Sequence, residues 1–365
     1  MTDYFSDRYG TARRRLLDLV LQRPAWTHEA AEHPLAAPDG DAIYTDIFWR
    51  GPRDAEKVLV LCSGTHGVEG FTGSAIQSAI VDENSDLPDG AAMMLVHAVN
   101  PFGFAHLRRV NEDNIDLNRN FIDFDQPLPV NDGYRALDSI VNPAQWTDET
   151  GPAIAQHIQS MQSSMPYLEF LKTISGGQYR YPRGIQYGGA QPAWSRETME
   201  RVWQDYLARA KLVVQLDIHT GLGPKGEGVL MMAADDAEPH KAISADWFGP
   251  MMVTPRPKSR EETVLGGYMN AALEEAIDAY VMPMTLEFGT EPPEAVLMTL
   301  IKDNWLAHHG DPSSTLGQEV REQVLRAFYP DDAAWRSAVM ERAHAVIASA
   351  LDGMAHLDPS SEILT

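Results

Sequence analysis

The chain has 365 residues, of which 44% are apolar and 22% charged, as expected for a globular protein with a sizeable core. Its net charge of −23 argues against nucleic acid and anionic membranes as partners, because both repel an acidic surface. The single cysteine, Cys62, excludes an internal disulfide and favours a cytoplasmic location. No apolar run reaches the ~20 residues of a membrane helix, and the N-terminal segment lacks a signal-peptide core, so we expect neither.

The first part of the chain alternates between helical and strand patterns. Residues 3–22 predict a helix, and residues 71–81 predict another that follows a glycine-punctuated loop. Strands are predicted at 42–49, 57–62 and 93–99. Strands separated by helices favour an α/β sheet with helices on both faces.

The strand pattern is interrupted between residues 125 and 210. Helical patches there flank a glycine- and tyrosine-rich segment at 176–189, and we interpret the stretch as an insertion that covers a site. Beyond it, residues 268–279 predict a helix and 291–352 a helical C-terminal region, where apolar residues recur every four positions. Further strands are predicted at 211–218, 229–233 and 280–288. We expect one domain over residues 1–365.

Polar side chains follow four of the predicted strands. His66 and Glu69 come after the strand at 57–62, Asn100 after the next, His219 after the third, and Glu287 lies near the end of the last. Ligands of open α/β sheets bind beyond the carboxyl ends of the strands. We therefore expect these side chains to converge although they are distant in sequence.

A histidine and a glutamate three residues apart can present a nitrogen and an oxygen to one ion. Catalytic zinc sites use about three such protein ligands plus water, and His219 is the natural third ligand beside His66 and Glu69. On a strand, Asp217 points to the same face as His219 and could orient its imidazole. The alternative is that each histidine is an ordinary loop or strand-end residue, which explains one of them alone better than the set.

Glu287 and a polar loop complete the predicted site. A carboxylate at the end of an apolar strand is costly without a partner or a task, and Glu287 could move the proton of a metal-bound water. Arg109, Asn118 and Arg119 could anchor a substrate carboxylate or an oxyanion, since a guanidinium matches a carboxylate with two bonds. The alternative for Glu287 is a carboxylate satisfied by backbone N–H groups. The alternative for Arg109, Asn118 and Arg119 is a solvated basic loop.

These residues together carry a family resemblance. The chain resembles the M14 superfamily of zinc carboxypeptidases, and in particular its DUF2817 branch; the superfamily also includes the succinylglutamate desuccinylase and aspartoacylase deacylases. The resemblance implies a three-layer α/β/α fold with a mixed, mostly parallel eight-stranded sheet. The motifs are His66-x-x-Glu69, Asn100-Pro101-x-Gly103, Asp116-Leu117-Asn118-Arg119-Asn120-Phe121, Asp217-x-His219 and Glu287-Phe288-Gly289-Thr290.

The resemblance also implies a role for each site residue. Glu287 would be general base and acid, and Arg109 would polarise the scissile carbonyl and stabilise its oxyanion. Arg109 is favoured over Arg108 because it stands ten residues before Arg119, as in bacterial carboxypeptidase-like members. One Zn²⁺ would be ligated by His66, Glu69 and His219. The substrate carboxylate would be held by Asn118 and Arg119.

We therefore predict a cytoplasmic zinc-dependent metallopeptidase or amidohydrolase that cleaves a peptide or amide bond of a small carboxylate-bearing substrate. The alternative on the same site is an N-acyl amino acid deacylase, and one of another class is a non-catalytic binding protein. The sequence leaves open whether the protein forms a homo-oligomer. Tyr268 is a candidate substrate tyrosine or a helix-core residue. Segment 176–189 could form a substrate wall with Tyr181, Arg183 and Gln186, or a structural loop.

Overall fold

The computed structural model describes residues 3–234, 239–254 and 266–358 and is built on one eight-stranded sheet. Its spatial order is β1-β2-β4-β3-β5-β8-β6-β7. The strands are β1 (Trp26–Ala36), β2 (Ala42–Arg50), β3 (Lys57–Ser63), β4 (Ala91–His97), β5 (Leu212–Lys225), β6 (Gly228–Ala233), β7 (Met252–Thr254) and β8 (Tyr280–Gly289).

The four central strands, β4, β3, β5 and β8, run parallel to one another. Strand β7 is parallel to β6, whereas the pairs β1/β2, β2/β4 and β6/β8 are antiparallel. The predicted mixed and mostly parallel sheet is therefore confirmed. Because β3, β5 and β8 share a direction, their carboxyl ends lie at the same edge of the sheet.

Helices cover both faces of the sheet, which confirms the predicted α/β/α layers. The helices are α1 (Tyr9–Leu21), α2 (Gly70–Glu83), α3 (Pro101–Ala105), α4 (Tyr134–Val141), α5 (Thr150–Ser164), α6 (Tyr167–Ser175), α7 (Trp194–Leu207), α8 (Pro239–Phe248), α9 (Met269–Ala276), α10 (Pro293–His309), α11 (Thr315–Phe328) and α12 (Ala333–His356). Two short 3₁₀ turns span Gly67–Glu69 and Leu117–Arg119.

Strand β3 shows why the layers form. Leu59 and Leu61 belong to the core under α1, α2 and α12, whereas Val58 and Val60 belong to the core under α7 and α9. All four side chains are fully buried, and alternate residues of a strand point to opposite faces. A continuous apolar run is therefore what a strand buried between two helical layers requires.

Several elements differ from the sequence prediction. Strand β1 is absent from the predicted elements, because its apolar residues do not alternate regularly and it lies at the edge of the sheet, where most of its residues are exposed. The strand predicted at 211–218 continues to Lys225. The first helix begins at Tyr9, not at residue 3, and the last continues to His356, past the predicted end at 352. Among the described residues, the structure has no helix with the length and apolar character needed to cross a membrane.

Candidate metal centre

The turn after β3 is held against the loop that precedes residue 110. The backbone N–H groups of Gly67 and Val68 donate to the carbonyl oxygens of Arg109 and Arg108, at 3.1 Å and 2.9 Å. Position 67 must be glycine, because a Cβ there would lie 2.1 Å from the carbonyl carbon of Gly103. This close approach fixes the turn from which His66 and Glu69 project.

His66, Glu69 and His219 meet at one point beyond the end of β3 and beside the middle of β5, where His219 lies. Nδ1 of His66 lies 3.0 Å from Oε1 of Glu69 and 3.2 Å from Nδ1 of His219, which lies 3.1 Å from Oε2 of Glu69. All three residues are buried, and they form a group able to hold a metal ion. Zinc bonds of about 2.0–2.2 Å in a tetrahedron place ligand atoms roughly 3.3 Å apart, so the group fits zinc.

A carboxylate lies behind each imidazole. Nε2 of His219 lies 2.7 Å from Oδ2 of Asp217, and Nε2 of His66 lies 3.1 Å from Oδ1 of Asp116. Thr65 donates its hydroxyl to the other Asp217 oxygen at 2.8 Å. Such carboxylates keep the proton on Nε2 and leave the Nδ1 lone pair for a metal. The sequence analysis considered Asp217 for this task but assigned none to Asp116.

The charges of the three side chains are strongly coupled. Burial raises the pKa of Glu69, but the charges and hydrogen bonds of His66 and His219 outweigh burial and hold that pKa well below its usual range. Burial lowers the pKa of His219, whereas Asp217 and Glu69 raise it, and the net shift is upward. The negative charge of Glu69 beside two imidazole nitrogens therefore favours a cation between the ligand atoms.

Glu287 lies beside this group because β8 pairs with β5. Its Cα is in register with that of His219, and its Oε1 accepts the backbone N–H of Leu222 at 3.0 Å. Burial, and then the negative charge of Glu69, raise the pKa of Glu287 to about 7. His219, the Leu222 N–H and Arg109 act in the opposite direction. Glu287 can thus exchange a proton near neutral pH.

Arg109 reaches the same group from the loop that follows α3. Its Nη1 donates to Oδ2 of Asp116 at 2.5 Å, and its Nη2 lies 2.8 Å from Nε2 of His66. Its Nε lies 3.9 Å from Oε1 of Glu69. The structure therefore brings Arg109 together with two predicted ligands and the carboxylate behind one of them.

Asn118 and Arg119 follow Asp116 in the chain, and their side chains make hydrogen bonds mainly with backbone groups. Oδ1 of Asn118 accepts the N–H of Met269 at 3.1 Å. Nε and Nη2 of Arg119 donate to the carbonyl oxygen of Ser175 at 3.1 Å and 2.7 Å, and Nη1 donates to that of Asn118 at 2.7 Å. The Arg119 guanidinium also lies over the ring of Tyr268, 5.2 Å from its centre. One N–H on each terminal nitrogen of Arg119 makes no further hydrogen bond to the described residues.

Segment 176–189 has three residues that were candidates for a substrate wall. Tyr181 packs its ring against Tyr134 at 5.6 Å, and the side chain of Arg183 is exposed. Gln186 lines a small cavity beside Arg108. These placements favour a structural role for Tyr181.

Comparison with known proteins gives one family and a set of distant structures. The profile of a family described as a protein of unknown function, DUF2817, matches residues 5–342. A search of curated proteins finds no match. The solved structures similar to this chain include an aspartoacylase family protein from Mesorhizobium loti, with 12% identity, coverage of 84% of this chain and 68% of that one, and a TM-score of 0.40.

Two further solved structures are similar at the same level. A succinylglutamate desuccinylase from Silicibacter sp. has 14% identity, coverage of 78% and 67%, and a TM-score of 0.38. Thrombin activatable fibrinolysis inhibitor has 11% identity, coverage of 86% and 74%, and a TM-score of 0.43. Likenesses this distant carry no conclusion about activity. Because the family profile spans residues 5–342, the chain belongs to the DUF2817 family.

Proposed function

We propose that the protein is a zinc-dependent hydrolase that cleaves a peptide or amide bond of a small substrate bearing a carboxylate. The observation that carries this proposal is the convergence of ligand atoms from His66, Glu69 and His219, 3.0–3.2 Å apart, with Glu287 beside them. When bound there, zinc would polarise the scissile carbonyl and lower the pKa of a water molecule.

Glu287 moves the proton in this proposal. Its carboxylate takes the proton of the attacking water and returns it to the leaving nitrogen, and the Leu222 N–H at 3.0 Å keeps Oε1 in place between these steps. In the metal-free site, burial and the charge of Glu69 raise the pKa of Glu287 to about 7. A divalent cation would offset the charge of Glu69 and bring this pKa below its metal-free position.

Arg109 stabilises the oxyanion, and the protonation of His66 decides whether it is free to do so. A neutral imidazole carries one N–H, so Nε2 of His66 cannot both donate to Asp116 and accept from Arg109. When Nδ1 of His66 serves as a ligand, Nε2 keeps the proton and donates to Asp116. Nη2 of Arg109 then has no acceptor on His66 and is available to the substrate.

Arg119 anchors the substrate carboxylate with the two N–H groups that the carbonyl oxygens of Ser175 and Asn118 leave free. The Asn118 amide nitrogen is the second donor. Tyr268, which lies against the Arg119 guanidinium, closes this side. We also propose that residues 1–365 form one domain and act in the cytoplasm, as an acidic protein whose only cysteine is buried in β3.

The test compares Glu287→Gln with Glu319→Gln, which removes an exposed carboxylate of α11. Zinc content is measured by mass spectrometry, and hydrolysis is assayed on short peptides with free or amidated C-termini and on N-acyl amino acids. We expect Glu287→Gln to retain zinc and to lose about 10²–10⁴ of the rate, with Glu319→Gln unchanged.

Each other outcome has a defined meaning. Full activity in Glu287→Gln, or absence of zinc from both proteins, would falsify the proposal. Cleavage of N-acyl amino acids but not of peptides would identify the deacylase. Stoichiometric zinc without hydrolysis of any substrate would identify the non-catalytic binding protein.

A further inference from the structure

A small cavity lies next to the metal centre, on the side of the 108–109 loop where α10 packs. Its volume is about 20 Å³, and its lining includes Arg108, Asn114, Gln186, Asp303 and Asn304. A cavity needs about 10–15 Å³ to hold one water molecule, so this one has room for a water molecule or a small ion.

The charges around the cavity do not cancel. Nε of Arg108 lies 3.1 Å from Oδ2 of Asp303, and Nη1 of Arg321 binds the other oxygen of the same carboxylate. Arg108 and Asp303 are buried, at 6% and 3% exposure. Two guanidinium groups therefore share one carboxylate, which leaves a surplus positive charge in a poorly solvated place. Unpaired buried charge is costly, and an anion would compensate it.

The pKa values of the basic groups around the cavity are lowered by burial first and by neighbouring positive charge second. Burial lowers the pKa of Arg108 to about 10, and burial together with the charge of Arg108 lowers that of Arg321 to about 9. Burial, followed by Arg108 and Arg183, lowers the pKa of His308 to about 4, so this neighbour is neutral at pH 7 and adds no charge.

Polar groups at the cavity also lack partners. Nη2 of Arg108 donates to Asn114 at 2.9 Å, but its Nη1 makes no hydrogen bond within the described part of the chain. Oε1 of Gln186 is buried without a partner, and Gln186 has a left-handed backbone with φ of 57°. A half-turn of the Gln186 amide would present its N–H groups instead. Strained residues with unmade bonds are typical of binding sites.

We propose that this cavity binds one small monatomic anion of the chloride class, held by Arg108 and the Gln186 amide. The cavity has room for a small ion, and the surplus of one positive charge selects a monovalent anion. Both oxygens of Asp303 are occupied by guanidinium groups, so this carboxylate does not oppose the anion with its full charge.

The anion site is connected to the turn that carries Glu69. The Arg108 and Arg109 carbonyl oxygens accept the N–H groups of Val68 and Gly67. An anion that holds the Arg108 side chain therefore also steadies the turn from which His66 and Glu69 project. Metal affinity should then depend on the anion, a consequence that rests on the proposed function, whereas anion binding itself does not.

The first test is chloride-35 NMR line broadening at constant ionic strength, with gluconate replacing chloride. We expect saturable broadening for the wild type and for Arg183→Gln, which removes an exposed arginine of the same region, and its loss in Arg108→Gln. Absence of saturable broadening in the wild type, or equal broadening in a folded Arg108→Gln, overturns the proposal.

A second measurement does not depend on whether Arg108→Gln folds. Wild-type crystals soaked in bromide should show an anomalous peak within hydrogen-bond distance of Nη1 of Arg108. Peaks only on the surface or at His66, Glu69 and His219 overturn the proposal.

A third measurement tests the coupling between the anion site and the turn. The zinc affinity of the wild type should fall at least about 5-fold when gluconate replaces chloride, because about 5-fold is the lower end of ordinary coupling between two sites. An unchanged affinity, with the bromide peak present, would overturn the coupling to the turn.

Discussion

Two buried clusters of carboxylate and imidazole groups lie in this sheet, and they differ in what completes them. In the first, Asp46 on β2 accepts from Nε and Nη2 of Arg13 at 2.6 Å and 2.8 Å and from His28 at 2.8 Å. In the second, Glu69 faces two imidazole Nδ1 atoms at 3.0 Å and 3.1 Å. The first contains its own permanent cation, the Arg13 guanidinium, whereas in the second the Arg109 guanidinium stays 3.9 Å from Glu69.

The two clusters differ as a structural cluster differs from a candidate metal site with the same residue types. Asp46 is fully buried, and the guanidinium of Arg13 matches both of its oxygens, so nothing further is needed there. In the metal centre, Arg109 binds the outer carboxylate of Asp116 and stays 3.9 Å from Glu69. The two clusters therefore differ in the position of the arginine: Arg13 binds the central carboxylate directly, whereas Arg109 binds a carboxylate behind one of the imidazoles.

The largest expected effect is on the stability contributed by the first cluster, around Asp46. Asp46→Asn removes a fully buried carboxylate from Arg13, whose side chain is 21% exposed. We therefore expect a loss of about 3 kcal/mol in the free energy of unfolding, the low end for breaking a buried ion pair. Urea denaturation of the metal-free protein measures it, with Asp18→Asn, an exposed residue of α1, as control. Zinc stoichiometry should not change. A loss below about 0.5 kcal/mol, the range of ordinary surface substitutions, would remove the distinction between the clusters.

The next largest effect is on the zinc affinity of the second cluster, around Glu69. Asp217→Asn removes the carboxylate 2.7 Å from Nε2 of His219, and we expect zinc affinity to fall about 10–100-fold while the metal-free protein stays folded. Competition with a chelator of known affinity measures the change. Zinc affinity equal to that of the wild type in Asp217→Asn would show that the carboxylate does not orient a ligand.

The smallest effect is the pH dependence of the stability that the Asp46 cluster contributes. Burial raises the pKa of Asp46, but His28 and Arg13 outweigh it, and the net shift is downward. When the pKa of a carboxyl is lower in the folded state than in the unfolded state, its charge stabilises the fold. This stability is fully present above the unfolded-state pKa of about 3.9 and is lost as the pH falls through the folded-state pKa. The stability difference between wild type and Asp46→Asn should therefore narrow below about pH 4. A difference that widens on acidification would contradict this assignment.

The sequence predicts the parts of the sheet that are apolar on both faces. Strands β3, β4, β5 and β8 were recognisable because each is buried between helical layers. Strand β1 was not, because an exposed edge strand needs little apolar surface and its residues show no regular alternation. Hydrophobic periodicity reports burial rather than backbone hydrogen bonding, so it cannot find such a strand.

The candidate site divides in the same way. His66, Glu69, His219 and Glu287 could be grouped because each lies near the end of a predicted strand. The contact between Arg108 and Asp303 joins residues 195 positions apart and follows no pattern in either segment. Side chains brought together by helix packing leave no local signal, so the cavity beside the metal centre could be found only from the structure.

The placement of β5 between β3 and β8 has a consequence for biosynthesis. His219 lies 150 residues after Glu69, so a ribosome adding about 5–20 residues per second needs roughly 8–30 s to supply the third ligand, and Glu287 follows later still. During that interval the nascent chain has His66 and Glu69 but neither the central strand nor a complete centre. In the proposed zinc hydrolase, metal loading would therefore be a late event, and a chain truncated before β8 would have the proposed ligands but not the proposed general base.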